Sequence, residues 1–141
     1  MAEAISNQRL ELMRAVLKKV PFAQLLGLEL VEASPGSATL KLMMRTELTQ
    51  NHGVMHGGAM ATLIDTATAF AIVSQLKLPE RFTTVDLTIN YLKAVTEGEV
   101  TCRANVVRSG RRLLTISAEA HDSNGNLVAI AVSTYIRLES K

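Results

Sequence analysis

The sequence is poor in the residues that mark several common classes of protein. Tryptophan is absent and aromatic residues make up only 4% of the chain, so we expect a core of aliphatic side chains. Cys102 is the only cysteine, which excludes an internal disulfide and makes a reducing, cytoplasmic setting the expectation. No apolar run reaches the roughly 18 residues that span a bilayer, and the N-terminal segment lacks the apolar centre of a secretory signal. We therefore expect no membrane partner.

Basic residues are scattered except for one short cluster. The formal net charge is only +2, and the dense group of cations is Arg108, Arg111 and Arg112. This group is too small to bind a nucleic acid, but it is large enough to hold one or two phosphate groups. Judged by composition alone, a solvated turn is an equally good interpretation.

Aliphatic sequence with clear periodicity makes up much of the chain. With 141 residues and 48% hydrophobic composition, it suits one globular domain spanning residues 1–141. Residues 3–20 have a partly amphipathic pattern, which predicts a helix there. Residues 1–24 are therefore assigned to an N-terminal helical segment, with Pro21 interrupting it and one further turn closed by Gly27.

Alternating and β-branched stretches indicate six strands. The predicted strands are residues 28–33, 38–45, 83–93, 100–107, 113–121 and 127–138. The sequence SNGN at residues 123–126 is a strong hairpin signal, because Asn-Gly tolerates the positive φ of a type I′ turn. Since short connections join the last four strands, we expect those four to form an antiparallel meander.

The segment from residue 57 to about residue 76 is the strongest helix prediction. It has no internal proline, no glycine after Gly58, and small or apolar residues around most of its circumference, so it should be buried on several sides. Pro79 is expected to mark its far limit, and residues 46–56 before it read as an irregular loop. The predicted fold class is therefore α+β, with one apolar helix packed on a curved antiparallel sheet.

Asp65 is a single acid inside this apolar helix. Its neighbours three and four residues away are Ala61, Thr62, Thr68 and Ala69, all small enough to let other groups approach the carboxylate. A partly desolvated carboxylate is suited to act as a base or a nucleophile. The alternative is a solvated or hydrogen-bonded acid, which is the commoner case in an arbitrary helix, and the apolar surroundings weigh against it here.

Two glycines open the same helix. The first amides of a helix have no intrahelical partner, so the backbone of Gly57 and Gly58 can polarise a carbonyl oxygen; an ordinary tight turn is the alternative. Eight residues at about 1.5 Å each separate Gly57 from Asp65 by about 12 Å, which is too far for one reacting carbonyl. If both serve one reaction, two antiparallel helices must meet about a twofold axis, which predicts a homodimer with two shared sites.

The three histidines give little support to a metal site. His52 and His56 are four residues apart in a glycine-containing loop, while His121 and Cys102 lie in predicted strands far along the chain. His56 is instead expected to hydrogen-bond within the loop and fix the Gly57 amide. Ser-His-Asp catalysis lacks its usual nucleophile elbow.

The stretch NHGVMHGGAMATLID, residues 51–65, resembles the signature of hotdog-fold acyl-CoA thioesterases of the phenylacetyl-CoA-thioesterase-like branch. The similarity extends to PGSATLKL, TTVDLTINYLKAV and RSGRRLLTISAEAHDSNGNLVAIAVSTYI, and it covers roughly residues 25–138. The resemblance implies a long central helix wrapped by an antiparallel sheet, assembly into dimers and usually tetramers, and an active site shared by two chains.

The resemblance also implies roles for individual residues. Asp65 matches the general base or nucleophile, and Gly57 matches the amide that polarises the thioester carbonyl. His56 matches the supporting histidine, and Thr84 matches a Ser/Thr position that helps to place the attacking water.

Two further parts of the site follow from the same resemblance. The family often carries Asn six residues before the motif histidine, where this chain has Gln50 with Asn51 beside it, so either residue can take the polar role. The substrate's CoA portion is assigned to the start of the helix at Gly58 and to the basic hairpin, whose implied contacts are Arg108, Gly110, Arg111 and Arg112.

The leading hypothesis is hydrolysis of an acyl-CoA thioester to a free acid and CoA, with no cofactor because CoA belongs to the substrate. The alternative is a non-catalytic module that binds acyl-CoA as a sensor, and the intact acid and HGG sequence weigh against it. A hotdog dehydratase would pair a catalytic histidine with an acid in another motif. The acyl group is left open, since the scarcity of aromatic residues gives no strong case for an aryl substrate.

Overall fold

The computed structural model describes residues 5–77 and 80–139. In this part of the chain, three α-helices pack with a six-stranded antiparallel sheet. The elements are α1 (Asn7–Lys18), α2 (Pro21–Leu26), β1 (Glu29–Ser34), β2 (Ser37–Met43), α3 (Gly57–Val73), β3 (Arg81–Tyr91), β4 (Glu99–Ser109), β5 (Leu113–His121) and β6 (Leu127–Leu138). The predicted α+β architecture is confirmed. No helix within the described residues is both long and apolar enough to cross a membrane.

The long helix α3 is enclosed on more than one side, as its composition predicts. Nine of its 17 residues are buried, and it packs chiefly against β2 and β4. The core is aliphatic, with Leu63, Ile64 and Ile72 of the helix almost completely shielded from solvent. This packing fixes which face of α3 remains open for chemistry.

The predicted meander of the last four strands is wrong for β3. The strand order is β1-β2-β4-β5-β6-β3, so β3 pairs with β6 and forms one edge of the sheet. β4 instead takes β2 as its second neighbour. The reason lies in burial: Val100, Cys102 and Ala104 of β4 are fully buried and need neighbours on both sides, whereas β3 is largely exposed and suits an edge.

Local capping sets the limits of the helices. α1 begins at Asn7, after the predicted start, because the Ser6 hydroxyl accepts the Arg9 N–H at 3.1 Å. Residues 3 and 4 of the predicted helix lie outside the described residues. Pro21 occupies the first turn of α2, and Gly27 ends α2 at φ +78° as predicted.

The central helix is three residues shorter than predicted. α3 ends at Val73 because the Ser74 hydroxyl donates to the Ala71 carbonyl at 2.6 Å and accepts the Gly36 N–H at 2.9 Å. These bonds turn the chain away from the helix axis. Pro79, the predicted limit, lies outside the described residues.

Arg9 binds the C-terminal end of α3, and its replacement should destabilise the fold. Its Nη2 donates to the carbonyls of Val73 at 2.6 Å and Leu76 at 3.1 Å, where a helix has unpaired acceptors and negative potential. Arg9→Met should lower the free energy of unfolding by about 1–2 kcal/mol, measured by urea denaturation. Arg9→Lys, which keeps the charge, should lose less, and an unchanged midpoint in Arg9→Met would refute this role.

Candidate active site

The start of α3 carries one free amide. His56 caps the helix, and its Nδ1 accepts the Gly58 N–H at 2.8 Å. The local hydrogen bond of His56 thus goes to the amide that follows Gly57, and the role of His56 in fixing the Gly57 amide stays a prediction. Among the described residues, nothing accepts a hydrogen bond from the Gly57 N–H, so this donor is available to a ligand at the positive end of the helix dipole.

Tyr91, at the end of β3, contacts the carbonyl group of Gly57. Its hydroxyl donates to the Gly57 carbonyl at 2.9 Å. A Cβ atom at position 57 would stand 3.3 Å from the tyrosine Cζ, so a glycine there leaves room for the ring. The two contacts fix the backbone whose N–H is free.

A cleft of about 350 Å³ lies beside Gly57. Its walls are mostly apolar, with Met55, Met60 and Val95 among them, while Gln50 contributes a polar group. The cleft therefore offers an apolar chamber next to a hydrogen-bond donor.

The structure separates Gln50 from Asn51. Gln50 lies at the start of a tight turn, in which its N–H donates to the Val54 carbonyl at 2.8 Å, and it lines the cleft with Gly57. Asn51 is exposed in the turn and is not among the residues that line this cleft. Of the two residues, Gln50 is the one on the Gly57 side.

Asp65 is held through one of its two carboxylate oxygens. Its Oδ1 accepts from the Thr84 hydroxyl at 3.0 Å, and the Tyr135 hydroxyl lies 3.2 Å away. Thr84 and Tyr135 are paired across β3 and β6, beside an irregularity in the register between Thr84 and Asp86. In the described residues Asp65 forms no ion pair.

Sequence reasoning missed the two tyrosines of this region, which are the only two in the chain. Tyr135 is 2% exposed, and its hydroxyl also contacts the Thr68 hydroxyl at 2.8 Å. Burial is the main cause that raises the pKa of Tyr135 to about 12, so the phenol stays protonated. The sequence offered one signal for these residues, namely that tyrosine is rare in this aliphatic chain. A tyrosine that is buried in such a core needs a polar partner for its hydroxyl.

Gly57 and Asp65 do not meet within one chain. The helix runs unbroken between them, so about 12 Å separates the two positions along its axis. Tyr91 contacts the first and Thr84 contacts the second, seven residues apart on β3. The cleft beside Gly57 does not include Asp65. Within one chain, the Gly57 amide and the Asp65 carboxylate therefore lie at two separate places.

The basic hairpin lies at the Asp65 end of the sheet. β4 extends to Ser109, so Arg108 belongs to the strand and not to the turn that was predicted to hold it. Arg111 and Arg112 are exposed in the turn, and Leu113 after them pairs with Ile136, next to Tyr135. The three hairpin arginines form no ion pair within the described residues, which leaves their guanidinium groups available to an anion.

Arg137 of β6 supports this hairpin from behind. Its side-chain Nε donates to the Gly110 carbonyl at 3.2 Å, and its main-chain N–H donates to the Arg112 carbonyl at 2.8 Å. A Cβ at Gly110 would approach the Leu113 carbonyl oxygen to 2.9 Å, so the tight turn requires a glycine there. Gly110 therefore shapes the turn that carries the arginines.

The remaining ligand-type side chains do not converge. Within residues 5–77 and 80–139, no three His, Cys, Asp or Glu side chains are grouped so that they could hold a metal ion. Cys102 is buried in β4, and burial raises the pKa of its thiol to about 12. The thiol therefore stays protonated and is a poor nucleophile.

The long helix α3 against a six-stranded antiparallel sheet defines a hotdog-fold protein, with an acid and a free helix amide on its central helix. Residues 52–129 match the thioesterase superfamily, and the chain belongs to that superfamily. The resemblance noted from residues 51–65 is thus confirmed at the level of the family.

Individual relatives agree with this assignment. Human acyl-coenzyme A thioesterase 13 is 30% identical over 123 residues, which cover 84% of this chain and 86% of that protein. The structure of a conserved protein from Pseudomonas aeruginosa, PA5202, is 37% identical and has a TM-score of 0.79, covering 83% of this chain and 93% of that one. The Escherichia coli PaaI protein from the phenylacetic acid degradation operon has a TM-score of 0.87 over 98% of this chain and 99% of its own, and at 22% identity it shows the fold alone.

Proposed function

We propose that the protein hydrolyses acyl-CoA thioesters to a free carboxylic acid and CoA. The observation that carries the proposal is the state of Asp65: its Oδ1 is held by hydroxyl groups, while its Oδ2 receives no hydrogen bond from the described residues. No buried side-chain oxygen in the described residues lacks a partner, so Oδ2 is accessible. An oriented carboxylate with one accessible oxygen is suited to take a proton from water or to attack a carbonyl carbon.

The reaction divides between two half-sites, the Asp65 carboxylate and the Gly57 amide. Asp65 removes a proton as water attacks the thioester carbon, or its carboxylate attacks that carbon directly and forms an acyl anhydride, which water then hydrolyses to the free acid. The Gly57 N–H stabilises the negative charge that develops on the carbonyl oxygen. The carbon–sulfur bond then breaks, the electron pair leaves with sulfur, and the thiolate of CoA takes up a proton. Water is the only second reactant, so the proposal requires no cofactor.

A homodimer would unite the half-sites, with Asp65 of one chain facing the partner subunit's Gly57. Two features support this arrangement. β3 is an edge strand, whose backbone groups are open to pairing with another strand, and Val85 on it is 59% exposed. A homotetramer, built from two such dimers, is the assembly that the family resemblance favours. The cytoplasm is the proposed compartment, in keeping with the single buried cysteine.

The acyl and nucleotide portions of the substrate would lie at different places. The apolar cleft beside Gly57, with Met55 and Met60 in its walls, is suited to an acyl group. The exposed cations Arg108, Arg111 and Arg112 are suited to the phosphates of CoA.

The hairpin arginines should affect binding and not chemistry. The double variant Arg111→Gln/Arg112→Gln should raise KM for acyl-CoA by about tenfold while changing kcat little, because each removes a charge-assisted contact to phosphate. The matched control is the corresponding acyl N-acetylcysteamine thioester, which has no phosphate. Equal losses on both substrates would refute a phosphate-binding role.

The function itself is tested by thiol release from short, medium, long and aromatic acyl-CoA thioesters with purified protein. Turnover that saturates with one of these classes would support the hydrolase and identify its acyl preference. Tight binding with negligible turnover across the panel would favour the sensor alternative. A protein that neither binds nor cleaves any of them would overturn the proposal.

A further inference from the structure

We propose that Tyr135 is a positioning residue for Asp65: its hydroxyl and that of Thr84 together hold Oδ1, so that Oδ2 is the reacting oxygen. This inference rests on the role of Asp65 in the proposed function. Tyr135 does not contact the cleft beside Gly57, so it is expected to act through the carboxylate alone.

The geometry around Oδ1 is built from two strands. Thr84 of β3 and Tyr135 of β6 are register partners, and both direct hydroxyl groups at the same carboxylate oxygen, at 3.0 and 3.2 Å. Two donors on one oxygen fix the rotation of the carboxylate about its terminal bond. The second oxygen receives no hydrogen bond from the described residues, which leaves it available to water or to a substrate.

A count of the hydrogen atoms shows that Tyr135 is free to donate to Asp65. The Thr68 hydroxyl lies 2.8 Å from the Asp65 main-chain carbonyl and can donate its hydrogen there. The Thr68 oxygen also lies 2.8 Å from the Tyr135 hydroxyl and can accept a hydrogen bond from it. The phenol hydrogen then has three possible acceptors: the Thr68 hydroxyl at 2.8 Å, the Asp65 carbonyl at 2.9 Å and Asp65 Oδ1 at 3.2 Å. Of these three, the carboxylate oxygen alone carries charge, and hydrogen bonds to charged acceptors are the stronger ones.

The phenol is held rigidly, as a positioning role requires. Tyr135 is almost completely buried, and the Phe82 ring packs against its edge with centroids 5.5 Å apart at 70°. Its raised pKa, caused mainly by burial, keeps the hydroxyl protonated. A buried, immobile donor loses little further freedom when it orients a carboxylate.

The surroundings of Asp65 contain few other ionisable groups. The ionisable side chain in contact with its carboxylate is Tyr135 of β6, while the acid nearest to Thr84 on β3 is Asp86, which is exposed and accepts from the Thr88 hydroxyl at 3.2 Å. No Lys, Arg or His of the described residues pairs with Asp65. The Thr84 and Tyr135 hydroxyls are therefore the side-chain groups of the described residues that hold the carboxylate.

The test is Tyr135→Phe, which removes the hydroxyl and keeps the ring. The Thr68 hydroxyl retains the Asp65 carbonyl as its acceptor, so no buried donor is orphaned and the fold should persist. We expect kcat to fall by about tenfold, since a hydrogen bond to a charged group is lost, with KM little changed.

Thr68→Val is the matched control. It removes a hydroxyl from the same buried network, at a residue that is 0% exposed, but it touches only the main chain of Asp65 and the Tyr135 hydroxyl. Its kcat should stay close to wild type even if its stability falls. A Thr68→Val variant that reproduces the Tyr135→Phe kinetics would show a merely structural effect and overturn the proposal.

A spectroscopic measurement that does not depend on turnover separates this inference from the function. The ¹³C chemical shift of the Asp65 carboxyl, assigned by its loss in Asp65→Asn and read at a single pH, should differ between Tyr135→Phe and the wild type, because one hydrogen bond to the carboxylate is removed. An unchanged shift would overturn the positioning role even if acyl-CoA is hydrolysed. A changed shift in a protein that cleaves no thioester would instead leave the contact intact and refute the proposed function.

Discussion

Asp65→Asn is expected to fold normally and to lose about 10²–10⁴-fold in kcat on acyl-CoA, the contribution typical of a general base. Asparagine has the shape of the acid, and its carbonyl oxygen can still accept from Thr84 and Tyr135. The amide group, however, neither takes up a proton nor attacks a carbonyl carbon. Steady-state kinetics beside a thermal unfolding curve would measure both effects.

Asp86→Asn provides the matched control for this loss. Asp86 is an exposed acid on the same strand as Thr84, and its carboxylate contacts Thr88. The same change of charge at this position should leave turnover near that of the wild type. Full activity in Asp65→Asn, or an equal loss in Asp86→Asn, would contradict the role given to Asp65.

The second large effect is expected at Gly57, where proline removes the N–H and adds its ring. Proline is well tolerated at the first position of a helix, and His56 before it already has the extended ψ of 134° that precedes proline comfortably. Gly57→Pro should therefore keep α3 while lowering kcat by about 10²–10³-fold, as for loss of an oxyanion donor. The measurement is kcat on an acyl-CoA that the wild type cleaves.

Gly57→Ala separates the N–H from the added atoms. Its Cβ meets the Tyr91 ring at the same 3.3 Å, but the amide hydrogen remains. The alanine variant should therefore retain much more activity than the proline variant. If both lose activity equally, crowding of Tyr91 is the cause, and Gly57 does not act through its amide.

The elements with strong local signals could be predicted from the sequence. The unbroken apolar pattern after Gly58 predicted α3, Gly27 predicted the end of α2, and the Asn-Gly sequence predicted the last hairpin. The predicted type I′ turn of that hairpin is wrong, because Gly125 has a positive φ but Asn124 does not. The placement of β3 could not be predicted, because strand pairing depends on which strands must be buried on both sides. Consecutive strands are usually neighbours, and the chain here departs from that tendency between β3 and β4.

In the candidate site, too, the features set by local geometry could be predicted from the sequence, whereas contacts between distant residues could not. The distance between Gly57 and Asp65 follows from helix geometry alone, so a two-chain arrangement could be proposed from the sequence. The family resemblance singled out Thr84, but it did not predict the hydrogen bond from Thr84 to Asp65. Tyr135 lies 70 residues from its partner Asp65, and only the pairing of β3 with β6 reveals that contact. The bond between His56 and the Gly58 amide depends on the exact geometry of the helix cap.

The shared site is tested most directly by mixing the two inactive chains. When Gly57→Pro and Asp65→Asn chains are unfolded and refolded together in equal amounts, half of the dimers should contain one chain of each kind. Each mixed dimer has one site with both lesions and one site with neither, so about a quarter of the wild-type activity should return. Activity no higher than that of either parent, in a mixture shown to contain mixed dimers, would contradict a site built from two chains.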